Sequence, residues 1–276
     1  MQQNPTHLPQ MALIERVRQL CRADEQVIAA LMFGSFAVGE GDEFSDIEFA
    51  LFFVDEHLPT LDKAAWVAQI APVELFFLDD NSHYTAIFPP LLRGEFHFKP
   101  ASAIATVASW QGNAWFPSLA ATLVVDRTGA LAQHLQALIG PPPPRDRAET
   151  MQSISHNFIN WVLFGSNVLA RGESARALDL LSITHRYLLW MARLVEGATQ
   201  HWPTPSRQVE ADLSPAAYAR FRLCTAALDR TALGQAYAAT WAWGTELMAV
   251  LAQRHDYVLP AGLVEQMTTH IETIRM

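Results

Sequence analysis

Lysine is nearly absent from this chain: among 19 basic residues, only Lys63 and Lys99 are not arginine. Against 28 acidic residues this leaves a net charge of −9 and a pI near 5.5. Gripping a phosphate backbone takes clustered basic charge, so the composition argues against a nucleic-acid partner. Cysteine is equally scarce. Cys21 and Cys224 lie far apart without CxxC spacing, which reads as two packed thiols in a reducing compartment. The 10 histidines are scattered, with no HExxH and no Cys/His cluster of zinc spacing. No run approaches the roughly 18 consecutive apolar residues of a membrane span. Met1 to Gln10 is polar and lacks the basic-then-apolar pattern of a secretion signal. The expectation is a soluble, cytoplasmic protein with no membrane partner.

With 276 residues, 50% of them hydrophobic, the chain has material for one large core or two ordinary ones. Residues 1–140 carry the whole acidic excess, and residues 141–276 are neutral. Gly140 is followed by Pro141, Pro142, Pro143 and Pro144, then Arg145-Asp146-Arg147. Four prolines neither continue a helix nor sit in a central strand, so this is where the linker belongs. Before it, helical and strand patterns alternate. A helix is expected over Met11–Cys21 and another over Leu61–Ile70, with a further helix at Ala101–Trp110. Strands are expected at Val27–Phe33, Ile47–Val54, Val73–Leu78, Thr85–Phe88, Glu95–Phe98 and Thr122–Val125. After the linker, Ala- and Leu-rich stretches over 147–170, 174–196, 215–228, 232–254 and 261–274 predict a bundle of about five helices. The fold class is therefore α+β: a small mixed-sheet domain (1–140) followed by an all-α helical bundle (141–276).

The most informative segment runs from Phe33 to Glu48. A buried strand ends in Gly34-Ser35, a glycine-rich turn follows, and a second strand opens with Asp46-x-Glu48. Side chains two apart on a strand share a face, so these two carboxylates project together. They repel unless a cation lies between them, and hard oxygen ligands suit Mg²⁺ with phosphate oxygens and water. Gly34 lets backbone approach a ligand, and Ser35 opens a helix whose N–H groups face an anion. Together these imply a nucleoside triphosphate. A Walker-type site is excluded, since GxxxxGK[ST] is missing.

Gly34-Ser35 followed by Asp46-x-Glu48 resembles the signature of the DNA-polymerase-β-like nucleotidyltransferases. More closely, the chain resembles the larger type of lincosamide nucleotidyltransferase, through Met32–Phe53, through LLRGEFHF (91–98) and through NFINWVLFGSNVLARGESARALDLLS (157–182). The superfamily pair is often Asp-x-Asp, so Glu48 is a departure within chemical tolerance. The resemblance implies a nucleotidyltransferase domain at 1–140 and an acceptor-completing helical domain at 141–276. It also implies a third carboxylate, matched by Glu95, as general base on the acceptor hydroxyl; His97, on the same strand face, is the rival base. Asp42 either orders the loop or faces substrate, and Arg93 either contacts phosphate or pairs with a carboxylate. Asn157 and Asn160, three apart on one helical face, either hydrogen-bond a sugar or nucleotide or sit at the bundle surface. Arg171 and Arg176 are candidates for the triphosphate.

The expected activity is Mg²⁺-dependent transfer of AMP from ATP to a hydroxyl of lincomycin or clindamycin, by a homodimer. The rivals are an aminoglycoside nucleotidyltransferase and a non-catalytic nucleotidyltransferase-like binding module. A polycationic aminoglycoside would favour an acidic acceptor pocket, and the neutral helical half argues against it.

Overall fold

The computed structural model describes residues 8–275, residue 146 excepted. Met1–His7, most of the segment searched for a leader pattern, and Asp146 of the linker lie outside the described residues. The chain divides within its proline run into two compact units, Met1–Pro143 and Pro144–Met276. Each has its own buried apolar cluster. Among the described residues, no helix is long and apolar enough to cross a membrane.

The first unit runs α1 (Pro9–Ala23), β1 (Val27–Phe33), α2 (Gly34–Val38), β2 (Ile47–Phe53), α3 (Lys63–Ala68), β3 (Leu75–Leu78), β4 (Tyr84–Phe88), β5 (Leu92–Pro100), α4 (Leu119–Thr122), β6 (Leu123–Asp126) and α5 (Ala130–Leu135). Its six strands form one mixed sheet in the order β3-β4-β5-β2-β1-β6. β2 and β5 run parallel, and every other neighbouring pair is antiparallel. Val27, Ala29, Ala30 and Leu31 of β1 and Phe49 to Phe53 of β2 are fully buried. Strands closed off on both faces read as continuous apolar runs rather than alternating ones, which is why both were visible in sequence.

Several boundaries move for local reasons. Asp62 accepts the Ala65 N–H and starts α3 two residues later than the apolar pattern suggested. The segment Ala101–Trp110 is a 3-10 helix rather than an α-helix. There Thr106 donates its hydroxyl to the Ala103 carbonyl and Ser109 to that of Thr106, a local competition that favours the tighter turn. α1 begins at Pro9 and takes in Gln10, which is buried. α5 escaped the sequence reading, its six residues being too few to show a helical period.

The second unit contains α6 (Ala148–Ala170), α7 (Ser174–Glu196), α8 (Val209–Asp212), α9 (Pro215–Leu223), α10 (Arg230–His255) and α11 (Ala261–Arg275). α6, α7 and α10 pack on one another through small residues. A Cβ at Gly165 would lie 2.0 Å from the Tyr237 hydroxyl, and one at Gly244 would lie 2.0 Å from the Phe158 ring. Trp202, Trp241 and Trp243 are buried in this core, and Trp161 and Trp190 pack against it half-buried. Both thiols are packed, and burial pushes Cys21 up to about 12 and Cys224 up to about 11.

One buried cation organises the irregular chain between α7 and α8. Arg193 is wholly buried and donates to the carbonyls of Ala198 and Pro205, at 2.9 and 2.8 Å, to that of Arg207, and to Asp212 at 2.7 Å. His201 and Gln200 complete the shell around the Asp212 carboxylate. Removing one member of such a network strands the others without partners. Arg193→Met is therefore expected to cost about 3–5 kcal/mol, read by calorimetry or denaturant melts as a loss in the transition of the helical unit.

Candidate active site

The register of the sheet collects the polar residues on one face. In the parallel pairing Glu48 lies beside Glu95 and Ala50 beside His97; across the antiparallel pairing Thr85 lies opposite Glu95. Continuing that register by one residue sets His83 opposite His97, and their rings stack with centroids 3.6 Å apart. Period-two alternation then turns Gly94 and Phe96 into the core and Glu95 and His97 to the other face. Phe33, paired with Glu48, packs its ring edge-on to His97 at 4.9 Å.

Gly34 stands at the end of β1 with φ of +71°, and a Cβ there would fall 1.4 Å from Glu48 Oε2. Both the left-handed backbone and the close approach demand glycine. Ser35 lies in the first turn of α2. Ser35 is 7% exposed, and its hydroxyl is buried without a hydrogen-bond partner. Two anchors brace this corner. Thr122 donates to the Met32 carbonyl at 2.6 Å, and buried Gln10 donates to the carbonyls of Glu43 and Ser45, at 3.0 and 2.9 Å. Asp42 caps the intervening loop, accepting from the Phe44 N–H and the Ser45 hydroxyl.

The charges are uneven. Arg93 donates to Asp46, and to Glu95 Oε2 at 2.9 Å. His97 Nε2 lies 2.7 Å from Glu95 Oε1, and His83 Nδ1 lies 3.5 Å from the same oxygen. The His97 and Arg93 contacts hold Glu95 down to about 2 against the cost of burial. Glu48 goes the other way. Burial first, then the charges of Asp46 and Glu95, push it up to about 7. A third carboxylate that one arginine does not neutralise, next to an orphaned buried hydroxyl, is a site short of positive charge and of a polar ligand. These residues fit a hard divalent cation between Asp46 and Glu48, with phosphate oxygens beside Ser35.

Of the residues singled out in sequence, Gly34, Ser35, Asp46, Glu48, Arg93, Glu95 and His97 come together in the first unit. Asn157, Asn160, Arg171 and Arg176 belong to the second. Asn157 donates to the Ser153 carbonyl at 2.9 Å, and Asn160 is exposed on the same side of α6. Arg171 ends α6, exposed. Arg176 pairs with Glu173 at 3.2 Å and lies over the Phe164 ring.

Residues 147–270 match the family model described as the C-terminal domain of lincosamide nucleotidyltransferase-like proteins. The matched residues include Asn157, Asn160, Arg171 and Arg176. No curated protein matches the chain in sequence. Among solved structures, an aminoglycoside 6-adenyltransferase from Bacillus subtilis is similar at 13% identity, with 96% of each chain covered and a TM-score of 0.44. A nucleotidyltransferase-like protein from Exiguobacterium sibiricum 255-15 is similar at 13% identity, covering 94% of this chain and 89% of that one, with a TM-score of 0.40. Likeness at this level does not bear on the chemistry of the chain.

Sequence reasoning missed His83, Thr85 and Gln10. His83 sits in the turn Asp79–His83, where Asp79 accepts the N–H groups of Asn81 and His83. An Asp-rich turn next to a strand was the available signal for a fixed hairpin, but the partner across it follows only from the register.

Glu48 makes stability depend on pH. Its pKa is raised from 4.5 to about 7, so its contribution is complete below 4.5 and lost as pH rises through about 7. In chelator-treated protein, Glu48→Gln is expected to raise stability at pH 8 by on the order of 3 kcal/mol. The gain should vanish near pH 4.5, as followed by denaturant melts. Mg²⁺ should stabilise the native protein more than the variant.

Proposed function

We propose that this protein is a Mg²⁺-dependent adenylyltransferase that moves AMP from ATP to a hydroxyl of a lincosamide such as lincomycin or clindamycin. The observation that carries this reading is the register that sets Glu95 beside Glu48, with Arg93 joining Glu95 to Asp46, at the foot of the Gly34-Ser35 turn. The match of residues 147–270 to the lincosamide nucleotidyltransferase-like C-terminal domain supports the acceptor class.

Asp46 and Glu48 would hold the cation, which supplies stabilisation of charge developing on the phosphate oxygens. Gly34 leaves room for that carboxylate, and Ser35 offers its unpaired hydroxyl to a phosphate oxygen. Glu95 takes the proton of the acceptor hydroxyl as its oxygen attacks the α-phosphorus in line and pyrophosphate leaves. Its Oε1 shares a short contact with His97 Nε2, so the two groups act as one acid–base unit. Arg93, tied to Asp46 and Glu95 in the free protein, keeps the carboxylates compact until nucleotide arrives. In the helical domain, Asn157 and Asn160 are assigned to the acceptor and Arg171 and Arg176 to the triphosphate; Asp42 orders the loop leading to Asp46. Function as a cytoplasmic homodimer belongs to the same reading.

The test is mass spectrometry of clindamycin, lincomycin and kanamycin after incubation with protein, ATP and Mg²⁺. An AMP adduct on a lincosamide is expected, and Asp46→Asn should abolish it. An adduct on kanamycin alone would reassign the acceptor, and no adduct with any acceptor or nucleotide would leave a binding module. Among variants, Glu95→Gln is expected to lower turnover by roughly 10²–10⁴-fold. If His97→Gln falls that far while Glu95→Gln stays near normal, His97 is the base. Gly34→Ala should lose cation binding along with turnover, because its Cβ would occupy the place of the Glu48 carboxylate.

A further inference from the structure

Beside the carboxylate pair lies a second constellation of different chemistry. His83, Glu95 and His97 form a group whose ligand atoms all fall within 4.8 Å of one another. Two imidazole nitrogens, His83 Nδ1 and His97 Nε2, converge on the single oxygen Glu95 Oε1, at 3.5 and 2.7 Å. The other carboxylate oxygen is held by Arg93 at 2.9 Å, which fixes the orientation of the group and leaves Oε1 to the histidines. The rings are held as well: they stack within 17° of parallel, and Phe33 supports His97 from its edge. The side chains of Glu95 and His97 are 17% and 10% exposed and that of His83 is 33% exposed, so the cluster is shielded yet open on the His83 side.

We propose that His83, Glu95 and His97 bind a divalent transition metal of the Zn²⁺ type, distinct from the hard cation assigned to Asp46 and Glu48, and that its binding switches nucleotidyl transfer off. Imidazole nitrogen suits Zn²⁺ and its neighbours, whereas Mg²⁺ demands oxygen. Two histidines and one carboxylate, with a fourth position left for water, form a three-ligand zinc set. Bonds of about 2.0–2.2 Å in a tetrahedral site separate ligand atoms by about 3.3 Å. The two contacts to Oε1 bracket that distance, and the ion enters once the stacked rings splay enough to turn both nitrogen lone pairs toward it. Once bound, it takes the Oε1 lone pair and the His97 nitrogen, and neither can then accept the acceptor's proton. The inhibitory half of the proposal rests on the role assigned to Glu95 and His97 above; the binding half does not.

The experiment uses the full-length protein stripped with chelator. Titration with Co²⁺, followed by visible absorption, and with Zn²⁺, followed by calorimetry, should show one ion per chain with the intense d–d bands of a low-coordinate nitrogen-containing site. His83→Phe keeps the ring stack but deletes the donor, and should weaken Zn²⁺ at least about tenfold. Asp46→Asn should bind Zn²⁺ as the native protein does. Micromolar Zn²⁺ in millimolar Mg²⁺ should inhibit transfer by the native enzyme and spare His83→Phe. The proposal is overturned if no such bands appear, if His83→Phe binds Zn²⁺ equally well, or if Asp46→Asn abolishes binding. A protein that binds Zn²⁺ through His83 yet transfers no nucleotide would sink the functional reading and leave this metal site standing. Binding without any effect on transfer would refute the inhibitory half alone.

Discussion

The site depends on one pairing: β2 and β5 run side by side in the same direction, and Glu48 and Glu95 are neighbours in that ladder. Antiparallel neighbours can follow from short hairpins, but parallel strands need a long crossover. Here the crossover carries α3, β3 and β4, so 38 residues separate the end of β2 at Phe53 from the start of β5 at Leu92. That detour brings a third carboxylate against the first two where water is partly excluded, and the sheet must then tolerate the repulsion. Arg93 offsets part of it from the position next to Asp46. The remainder adds to the larger effect of burial, and together they push the Glu48 carboxyl up to about 7.

Neighbouring features follow from holding that charge in place. Gly34 has no side chain because the Glu48 carboxylate occupies the space. Gln10 reaches from α1 to two carbonyls of the loop before Asp46 through its amide N–H groups, while its Oε1 stays buried without a partner. Thr122 satisfies the Met32 carbonyl where β1 gives way to the turn. A polar side chain in each case secures backbone that the sheet ladder does not reach.

Much of this was legible before any coordinates. The apolar runs of β1 and β2, the Gly34-Ser35 turn, the Asp46/Glu48 pair and the proline break are local patterns, and local patterns survive in sequence. Glu95 was reached only through resemblance, because no period or spacing says which distant strand joins β2. His83 was invisible for the same reason at one further remove: it needs both the partner strand and its register. Arg193 looked like one more arginine on an amphipathic helix, and its burial depends on a loop folding back over it. Asp42 had two open readings, and its hydrogen bonds to Phe44 and Ser45 favour the capping one.

The Arg193 network has a consequence for how this chain can diverge. Three of its four acceptors are main-chain carbonyls, at Ala198, Pro205 and Arg207, and only Asp212 contributes a side chain. A guanidinium that reads carbonyl oxygens does not register which residue carries them. The path of the 198–207 segment is thus anchored while the identities of its exposed residues remain free to drift. Relatives of this domain could present different chemistry on that segment without refolding it, provided the arginine and the aspartate stay.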